Sequence, residues 1–177
     1  MKGDIHLYEI RKAECKDVKG IAKVHVDSWW STYKGIISES YLESLSYQEK
    51  ENFWKEVPDL NKVYVALHNG DVIGFISYGP SQIDKIDGEI YAFYLLENFQ
   101  RLGIGKKLFE EAISSLYELG YKSVVVWVFD ENPCKAFYEQ FQPKKIGEET
   151  IEIEKKKHKE IAYGWYDLKH LLQMLRA

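Results

Sequence analysis

The sequence has little of what builds disulfide-linked, metal-binding or membrane-spanning structures. Only two cysteines occur in 177 residues, Cys15 and Cys134, and neither lies in a CxxC pair or at a cysteine–histidine ligand spacing. The five histidines form no HxxxH or HExxH pair, so we expect no metal ion. Apolar runs such as Val124 to Phe129 are far too short to span a membrane. We therefore expect reduced thiols and no membrane segment.

The chain also has no large excess of positive or negative charge. The chain carries 24 lysines and arginines against 28 aspartates and glutamates, which gives a formal net charge of -4. This balance provides no general attraction to nucleic acid or to an anionic membrane, and it mildly favours a cationic substrate. The amino-terminal stretch MKGDIHLYEI contains no apolar run of signal-peptide length. We therefore expect a cytoplasmic protein that binds neither nucleic acid nor membrane.

The composition is that of a compact globular domain. Hydrophobic residues make up 45% of the chain and charged residues 29%, and no repeat or linker interrupts residues 1–177, which predicts a single domain. Hydrophobic periodicity, capping residues and turn residues predict the elements of the first half. These are a strand at residues 5–11, a helix over 18–29, short helices capped by Ser38 and Ser46, and strands at 62–67 and 72–78 joined by Asn69-Gly70.

Strands and helices alternate in the second half. The predicted elements are a strand at residues 89–95, a helix from Ile104 to Gly120, a strand from Val124 to Phe129, a helix opened by Asn132-Pro133, and strands at 146–154 and 160–166. The basic segment from Lys155 to His158 is expected to be a solvated turn between the last two strands. Together these elements predict an α+β fold with a mixed sheet.

The segment Gln100 to Lys106, which reads QRLGIGK, carries an unusual charge for the start of a helix. First turns prefer acidic residues, because exposed N–H groups and aligned peptide dipoles leave positive charge there. Here Arg101 and the Lys106-Lys107 pair cluster instead, and each such cation costs about 0.3 to 1 kcal/mol unless an anion offsets it. Gly103 and Gly105 remove the Cβ atoms that would keep a ligand from the N–H groups. The segment therefore predicts a phosphate-binding loop.

Two other nucleotide-binding loops do not match this segment. A P-loop requires serine or threonine after its GK pair, where this chain has Lys107. A dinucleotide fingerprint requires a small third residue for close helix–strand packing, where this chain has Leu108. What remains is a QxxGxG pattern between a strand and a helix, formed by Gln100, Gly103 and Gly105.

Two motifs together resemble the GNAT superfamily of N-acetyltransferases, which bind acetyl-coenzyme A. The stretch EIYAFYLLENFQRLGIGKKL is similar to the central motif of that family, and ENPCKAFYEQF is similar to its second signature, an asparagine that opens a helix carrying a Phe-Tyr pair. The resemblance implies a mixed, mostly antiparallel sheet flanked by helices, in which two splayed parallel strands bind coenzyme A. Gln142-Pro143 departs from the family's common Gly-Phe and gives no guide to the acceptor site.

The resemblance also implies roles for individual residues. Tyr138 would be the general acid beside the coenzyme sulfur, Glu89 would be the general base, and Asn132 would cap its helix and reach the pantetheine arm. The other implied coenzyme-binding residues are Phe93, Tyr94 and Leu95 on the strand and Gln100, Arg101, Leu102, Gly103, Ile104, Gly105 and Lys106 in the loop.

The chemistry of acetyl transfer to an amine needs these types of group. An alkyl ammonium with a pKa of about 10.4 has no lone pair for attack at neutral pH, so a base must remove its proton. Glu89 suits that role, but a carboxylate at a strand start could equally be only solvated. Tyr138 could protonate the departing thiolate or could be an ordinary core aromatic. The remaining candidates, Trp29, Trp30 and Tyr33, could line an acceptor pocket or pack the end of their helix.

We therefore expect an acyltransferase that moves the acetyl group of acetyl-CoA to a primary amine of a small molecule or peptide. The amine would attack directly in a ternary complex, without a covalent enzyme intermediate. A catalytically silent module that senses acyl-CoA is the alternative, and retention of Glu89 and Tyr138 favours the enzyme. A homodimer is expected only by analogy with the family. The sequence does not specify the amine, the acyl chain or the oligomeric state.

Overall fold

The computed structural model describes residues 8–177. The strands are β1 (Tyr8–Lys12), β2 (Val63–His68), β3 (Asp71–Pro80), β4 (Gly88–Leu95), β5 (Val124–Phe129), β6 (Lys144–Ile153) and β7 (Lys156–Trp165). The helices are α1 (Val18–Tyr33), α2 (Glu39–Ser44), α3 (Tyr47–Lys55), α4 (Ile104–Glu118), α5 (Lys135–Glu139) and α6 (Leu168–Arg176). Within the described part of the chain, every helix is too short or too polar to cross a lipid bilayer.

The strands form one mixed sheet in the order β1-β2-β3-β4-β5-β7-β6. All neighbouring strands are antiparallel except β4 and β5, which run parallel. Helices cover both faces. On one face α1 and α3 pack against buried strand residues such as Val65 and Phe75, and on the other α4 and α6 contribute Leu108, Phe109 and Leu171 to the main core. The predicted α+β class and mostly antiparallel sheet are confirmed.

The parallel strands β4 and β5 separate soon after they meet. They pair only at three positions, of which the last joins Ile90 to Val126. Beyond that point β4 remains paired with β3 as far as Leu95, whereas β5 remains paired with β7 as far as Phe129. A register shift in the β3–β4 ladder leaves Tyr91 without a partner at the point of separation, which increases the local twist and bends the strand. A wedge therefore opens between the two strands.

Several local predictions from the sequence are confirmed. The hydroxyl of Ser38 accepts a hydrogen bond from the backbone of α2, and that of Ser46 accepts one from the backbone of α3. The turn between β2 and β3 has positive φ at both Asn69 and Gly70, at 51° and 87°, as a tight hairpin requires. Gly120 has a φ of 88° just after α4, which identifies it as the left-handed residue that ends the helix.

The predictions near the carboxyl end of the chain were less accurate. The turn between β6 and β7 is formed by Glu154 and Lys155, both with positive φ, so Lys156 to His158 belong to β7. His158 is buried with 2% exposure, because its side chain alternates onto the covered face of the sheet. Helix α6 was not predicted, although its buried leucines at residues 168, 171, 172 and 175 follow helical spacing. The predicted start of the first strand at residue 5 lies outside the described residues.

Candidate active site

A cavity of about 390 Å³ runs through the wedge between β4 and β5. It extends from the carboxyl ends of these strands to the face of the sheet that α1 covers. Its walls are Ser28, Trp29, Thr32, Tyr33 and Tyr41 from the helices, residues 89–95 and Gln100, residues 126–129, Asn132, Cys134 and Tyr138, and Ile151, Ile153 and Glu160 from the last hairpin. A larger, open groove of about 1100 Å³ beside β1 has charged side chains of both signs and contains none of the residues predicted from the motifs.

The QxxGxG loop begins α4 at one end of the wedge. Arg101 and Gly103 adopt left-handed backbone conformations, with φ of 62° and 83°. The first backbone hydrogen bond of the helix runs from the N–H of Lys107 to the carbonyl of Gly103. Among the described residues no backbone acceptor is found for the N–H groups of 102–106, which leaves them available to an anion.

The positive side chains around this loop are only partly neutralised. Lys107 forms ion pairs with Glu110 at 2.9 Å and Glu111 at 3.3 Å, as residues three and four apart on a helix can. Arg101 and Lys106 have no acidic partner within 4.0 Å in the described part of the chain. The unusual charge at the helix start therefore remains on these two residues.

The strand residues predicted to hold the coenzyme divide between the two faces of the sheet. Phe93 and Leu95 pack against the core beneath α4, and both line the cavity. The amide of Gln100 donates a 3.0 Å hydrogen bond to the carbonyl of Leu95, which holds the end of β4 against the loop. Tyr94 lies on the opposite face, where its hydroxyl accepts a 2.9 Å hydrogen bond from the indole of Trp29.

Asn132 connects the second motif to α1. Its side-chain oxygen accepts a 2.8 Å hydrogen bond from the backbone N–H of Cys134, and its amide nitrogen donates a 3.1 Å bond to the hydroxyl of Tyr33. Asn132 thus stabilises the turn before α5, but the prediction that it caps the helix was wrong, because α5 begins at Lys135 with Cys134 at its N-cap position. The backbone of residues 132–134 is held by this local turn instead.

Tyr138 lies where the wedge meets the core. Its side chain is 7% exposed and packs edge-on against Phe93 and Phe109, with ring centroids 6.4 Å and 6.0 Å away. Burial raises the pKa of the Tyr138 phenol far above its usual value, so it stays protonated at neutral pH. Among residues 8–177 its hydroxyl has no hydrogen-bond partner, and the residue lines the cavity. This phenol can therefore donate a proton to a group bound there.

Two carboxylates line the cavity, Glu89 at the start of β4 and Glu160 on β7. Burial raises the pKa of Glu89, and hydrogen bonds from Gln82 and Ser81 oppose the shift. Burial also raises the pKa of Glu160, and the nearby negative charge of Glu149 adds to it. No lysine, arginine or histidine is among the cavity-lining residues of the described chain. The cavity is therefore acidic, although the loop that opens it is basic.

Aromatic side chains form the wall opposite the sheet. Trp29 stacks at a tilt on Tyr33 with ring centroids 4.8 Å apart, and Tyr41 lies 6.1 Å from the same indole. Trp30 packs in the same apolar cluster as Trp29 and Tyr33 but is not among the residues that line the cavity. The hydroxyl of Ser28 is buried without a hydrogen-bond partner in the described chain, and Ser28 lines the cavity.

Comparison with known proteins identifies the family to which the wedge, the loop and the second motif belong. A model of the acetyltransferase (GNAT) family matches residues 24–142, a stretch that contains the wedge, the loop and the second motif. The chain belongs to the GNAT acetyltransferase family. It is an acyltransferase of the coenzyme A-binding class, and the predicted N-acetyltransferase identity is confirmed.

Named relatives share most of the length of this acetyltransferase. It is 44% identical to the uncharacterized N-acetyltransferase YuaI of Bacillus subtilis over 94% of this chain and 97% of that protein. It is 30% identical to a spermidine N(1)-acetyltransferase of Thermoplasma acidophilum over 70% of this chain and 80% of that one. The crystal structure of the PaiA N-acetyltransferase of T. acidophilum, in complex with coenzyme A, superposes with a TM-score of 0.72 and 25% identity, covering 90% and 99% of the two chains.

Sequence reasoning missed several of the residues that line this cavity. Glu160 and Ser28 lie 132 positions apart in sequence, and only the β5–β7 pairing and the packing of α1 bring both to the cavity. Glu160 begins a predicted strand. The alternation of side chains along a strand assigns Glu160 to one face of the sheet, but it does not identify the residues that lie against that face. Tyr41 and Trp127 were likewise assigned to elements without a role, because neither belongs to a family motif.

We expect Glu160→Gln to stabilise this acetyltransferase at neutral pH. The folded-state pKa of Glu160 is raised by burial and by Glu149, which lies directly opposite on β6. The ionised carboxylate therefore disfavours the folded state, and protonation removes that cost, so the carboxylate's contribution is most favourable below its unfolded-state pKa. The midpoint of thermal unfolding should rise at pH 7 and match wild type near pH 4. Glu152→Gln, on exposed β6 opposite Lys157, is the control and should give no increase.

Proposed function

We propose that this acetyltransferase moves the acetyl group of acetyl-CoA to a primary amine by direct attack in a ternary complex. The observation that carries the proposal is the cavity of about 390 Å³ in the wedge between β4 and β5. One part of it is the wedge beside the basic loop. The other part, which we call the chamber, lies on the α1 side of the sheet, and among the described residues the cavity as a whole is lined by two carboxylates and no basic side chain. Such a cavity suits a polyanionic donor that enters from one end and a cationic acceptor that enters from the other.

For the donor, we assign the pyrophosphate to the loop from Gln100 to Lys106. The available N–H groups there and the unpaired side chains of Arg101 and Lys106 supply hydrogen-bond donors and positive charge. The pantetheine arm would lie along the open edge of β4, where Phe93 to Leu95 have no neighbouring strand on the wedge side. Asn132 lies on the opposite side of this path. These positions follow the family resemblance and agree with the free backbone edges.

For the reaction, we assign Glu89 as general base and Tyr138 as general acid. The carboxylate of Glu89 accepts a proton from the acceptor ammonium, directly or through water, and the freed lone pair attacks the thioester carbon. A carbon–nitrogen bond forms, the carbon–sulfur bond breaks, and the phenol of Tyr138 gives its proton to the departing thiolate. The nitrogen then releases its second proton to solvent, and solvent returns a proton to the Tyr138 phenolate. The raised pKa of Glu89 brings its basicity closer to neutral pH, where a general base is most effective.

For the acceptor, we propose a small cationic amine. The relative named a spermidine N(1)-acetyltransferase is consistent with this class. The chamber is enclosed by α1, α2 and the β6–β7 hairpin, which limits the size of the molecule that can reach the wedge. A peptide amine would have to insert its side chain or terminus between these elements.

The proposal is tested by measuring coenzyme A release from acetyl-CoA with a panel of polyamines, simple alkylamines, amino acids, aminoglycosides and peptides. Turnover with at least one amine and none without an amine is the expected result. Tight acetyl-CoA binding with no turnover on any member of the panel would contradict the proposal and favour a silent acyl-CoA sensor.

We expect Gly103→Ala to weaken acetyl-CoA binding about tenfold, which corresponds to about 1.4 kcal/mol. Gly103 has a φ of 83°, where an L-residue costs about 1 to 2 kcal/mol, so the loop would shift and misalign its N–H groups. Gly120→Ala is a matched control, because Gly120 also has positive φ, ends the same helix and has equally open space around its Cα. Calorimetric titration should show weakened binding only for Gly103→Ala, while both variants lose similar thermal stability. Equal acetyl-CoA affinities in the two variants would contradict the loop assignment.

A further inference from the structure

The second carboxylate of the cavity, Glu160, has no part in the proposed reaction. One base is enough to deprotonate one amine, and Glu89 fills that role. Glu160 is nevertheless half-buried without any ion pair in the described chain, directly opposite the like-charged Glu149 on β6. An arrangement of this kind costs stability. A bound cation that neutralises Glu160 would offset that cost.

The register of the sheet gives the approximate distance between Glu89 and Glu160. Glu89 pairs with Val125 and Glu160 pairs with Phe129, and both partners belong to β5. At the usual spacings, this places their Cα atoms about 13 Å apart along β5 and about 10 Å apart across the strands. Both side chains line the same cavity. One carboxylate therefore cannot serve an ammonium held at the other, and a ligand that contacts both must be extended.

The surroundings of Glu160 are suited to a desolvated cation. Tyr94 faces it across the cavity, and the charge of Glu160 adds to the burial that raises the Tyr94 pKa to about 12, against the opposing hydrogen bond from Trp29. Beneath Tyr94, the ring of His25 stacks at 4.9 Å, and burial lowers the His25 pKa to about 3, so this imidazole is neutral. The indoles of Trp29 and Trp127 line the same space. Indole rings attract cations through their faces.

A second unexplained polar group lies on the α1 side of the chamber. The Ser28 hydroxyl is buried without a partner in the described residues and lines the cavity. An unmet hydroxyl costs about 1 to 3 kcal/mol in a protein interior. An N–H group of a bound ligand would satisfy it.

We infer that the acceptor is a linear diamine or polyamine, whose distal ammonium is bound by Glu160 between Trp29 of α1 and Trp127 of β5 while its reacting amine lies at Glu89. This inference rests on the proposed function and names the substrate class of the same site. Glu160 acts here as a specificity-determining residue. A monoamine of equal length would leave Glu160 unpaired and would bind less tightly.

The test compares acceptors that differ only in the distal amine, namely butylamine with putrescine and octylamine with octanediamine. Wild-type kcat/KM should favour each diamine beyond the statistical advantage of two equivalent amines, and more strongly in the longer pair. Glu160→Gln should lower the diamine-to-monoamine ratio about tenfold, mainly through KM, because a charged partner of the distal ammonium is lost. Glu152→Gln, which removes an exposed carboxylate of the same hairpin, should leave that ratio unchanged. Cooperative thermal unfolding, with midpoints no lower than that of wild type, would confirm that both variants are folded.

Two results would overturn the inference and leave the proposed function standing. One is a wild-type ratio that shows only the statistical advantage, and the other is an unchanged ratio in Glu160→Gln. Absence of turnover with every amine of both series would overturn the inference together with the proposed function.

Discussion

Replacing Tyr138 with phenylalanine is expected to lower kcat by about a hundredfold or more, the usual contribution of a positioned general acid. The buried phenol is protonated at neutral pH, since its pKa is raised by burial, and no hydrogen bond to the described residues is lost with it. The variant should therefore fold normally and bind acetyl-CoA with an affinity close to that of wild type. Steady-state kinetics and calorimetric titration would separate the two quantities.

Tyr163→Phe is the matched control for Tyr138. Tyr163 is also a buried tyrosine of the main core, but its hydroxyl donates a 2.7 Å hydrogen bond to Glu139 and does not line the cavity. Its loss should reduce stability by about 1 kcal/mol and leave kcat close to wild type. A Tyr138→Phe enzyme with wild-type kcat would remove Tyr138 from the acid role.

Replacing Glu89 with glutamine is expected to lower kcat by about a hundredfold or more and to change the pH profile. Only ionised Glu89 can accept a proton, so the rate of the wild type should rise with pH through the Glu89 pKa. Because burial raises that pKa, this rising limb of the pH–rate profile should lie above the ordinary glutamate pKa of about 4.3. In Glu89→Gln the limb should disappear, and only the rise from the amine's own deprotonation should remain.

Glu160→Gln separates the base from the second carboxylate. Both side chains line one cavity and both have raised pKa values for the same leading reason, burial. We expect the Glu160 variant to keep the acidic limb and to change KM, whereas the Glu89 variant loses the limb and changes kcat. If Glu89→Gln retained the limb and Glu160→Gln lost it, the two assignments would have to be exchanged.

The proposed donor and acceptor ends of this cavity differ in how they are built. The donor end uses the backbone: free N–H groups at the start of α4 and the open edge of β4. The acceptor end uses side chains from α1, α2, β4, β5 and β7. Backbone geometry depends on a few glycines and on strand pairing, so it can be kept while acceptor side chains vary. This difference explains why family resemblance identifies the donor and leaves the amine open.

The sequence by itself determined the elements whose signals are local. The positive charge at the start of α4, the left-handed glycine at residue 120 and the Asn69-Gly70 turn depend on residues close together in the chain. The order of these elements was enough to predict an α+β fold with a mixed sheet, and the family resemblance added that the sheet is mostly antiparallel. The two motifs together were enough to identify the family.

Only the tertiary structure determined which side chains come together in the chamber. Glu160 approaches Tyr94 because β7 inserts between β5 and β6 in the sheet, an order that no short stretch of sequence specifies. Trp29 and Trp30 are adjacent in sequence, yet only Trp29 lines the cavity, because successive residues of a helix point about 100° apart. Strand pairing and helix packing are long-range contacts, so the acidic, aromatic chamber became visible only when the chain was folded.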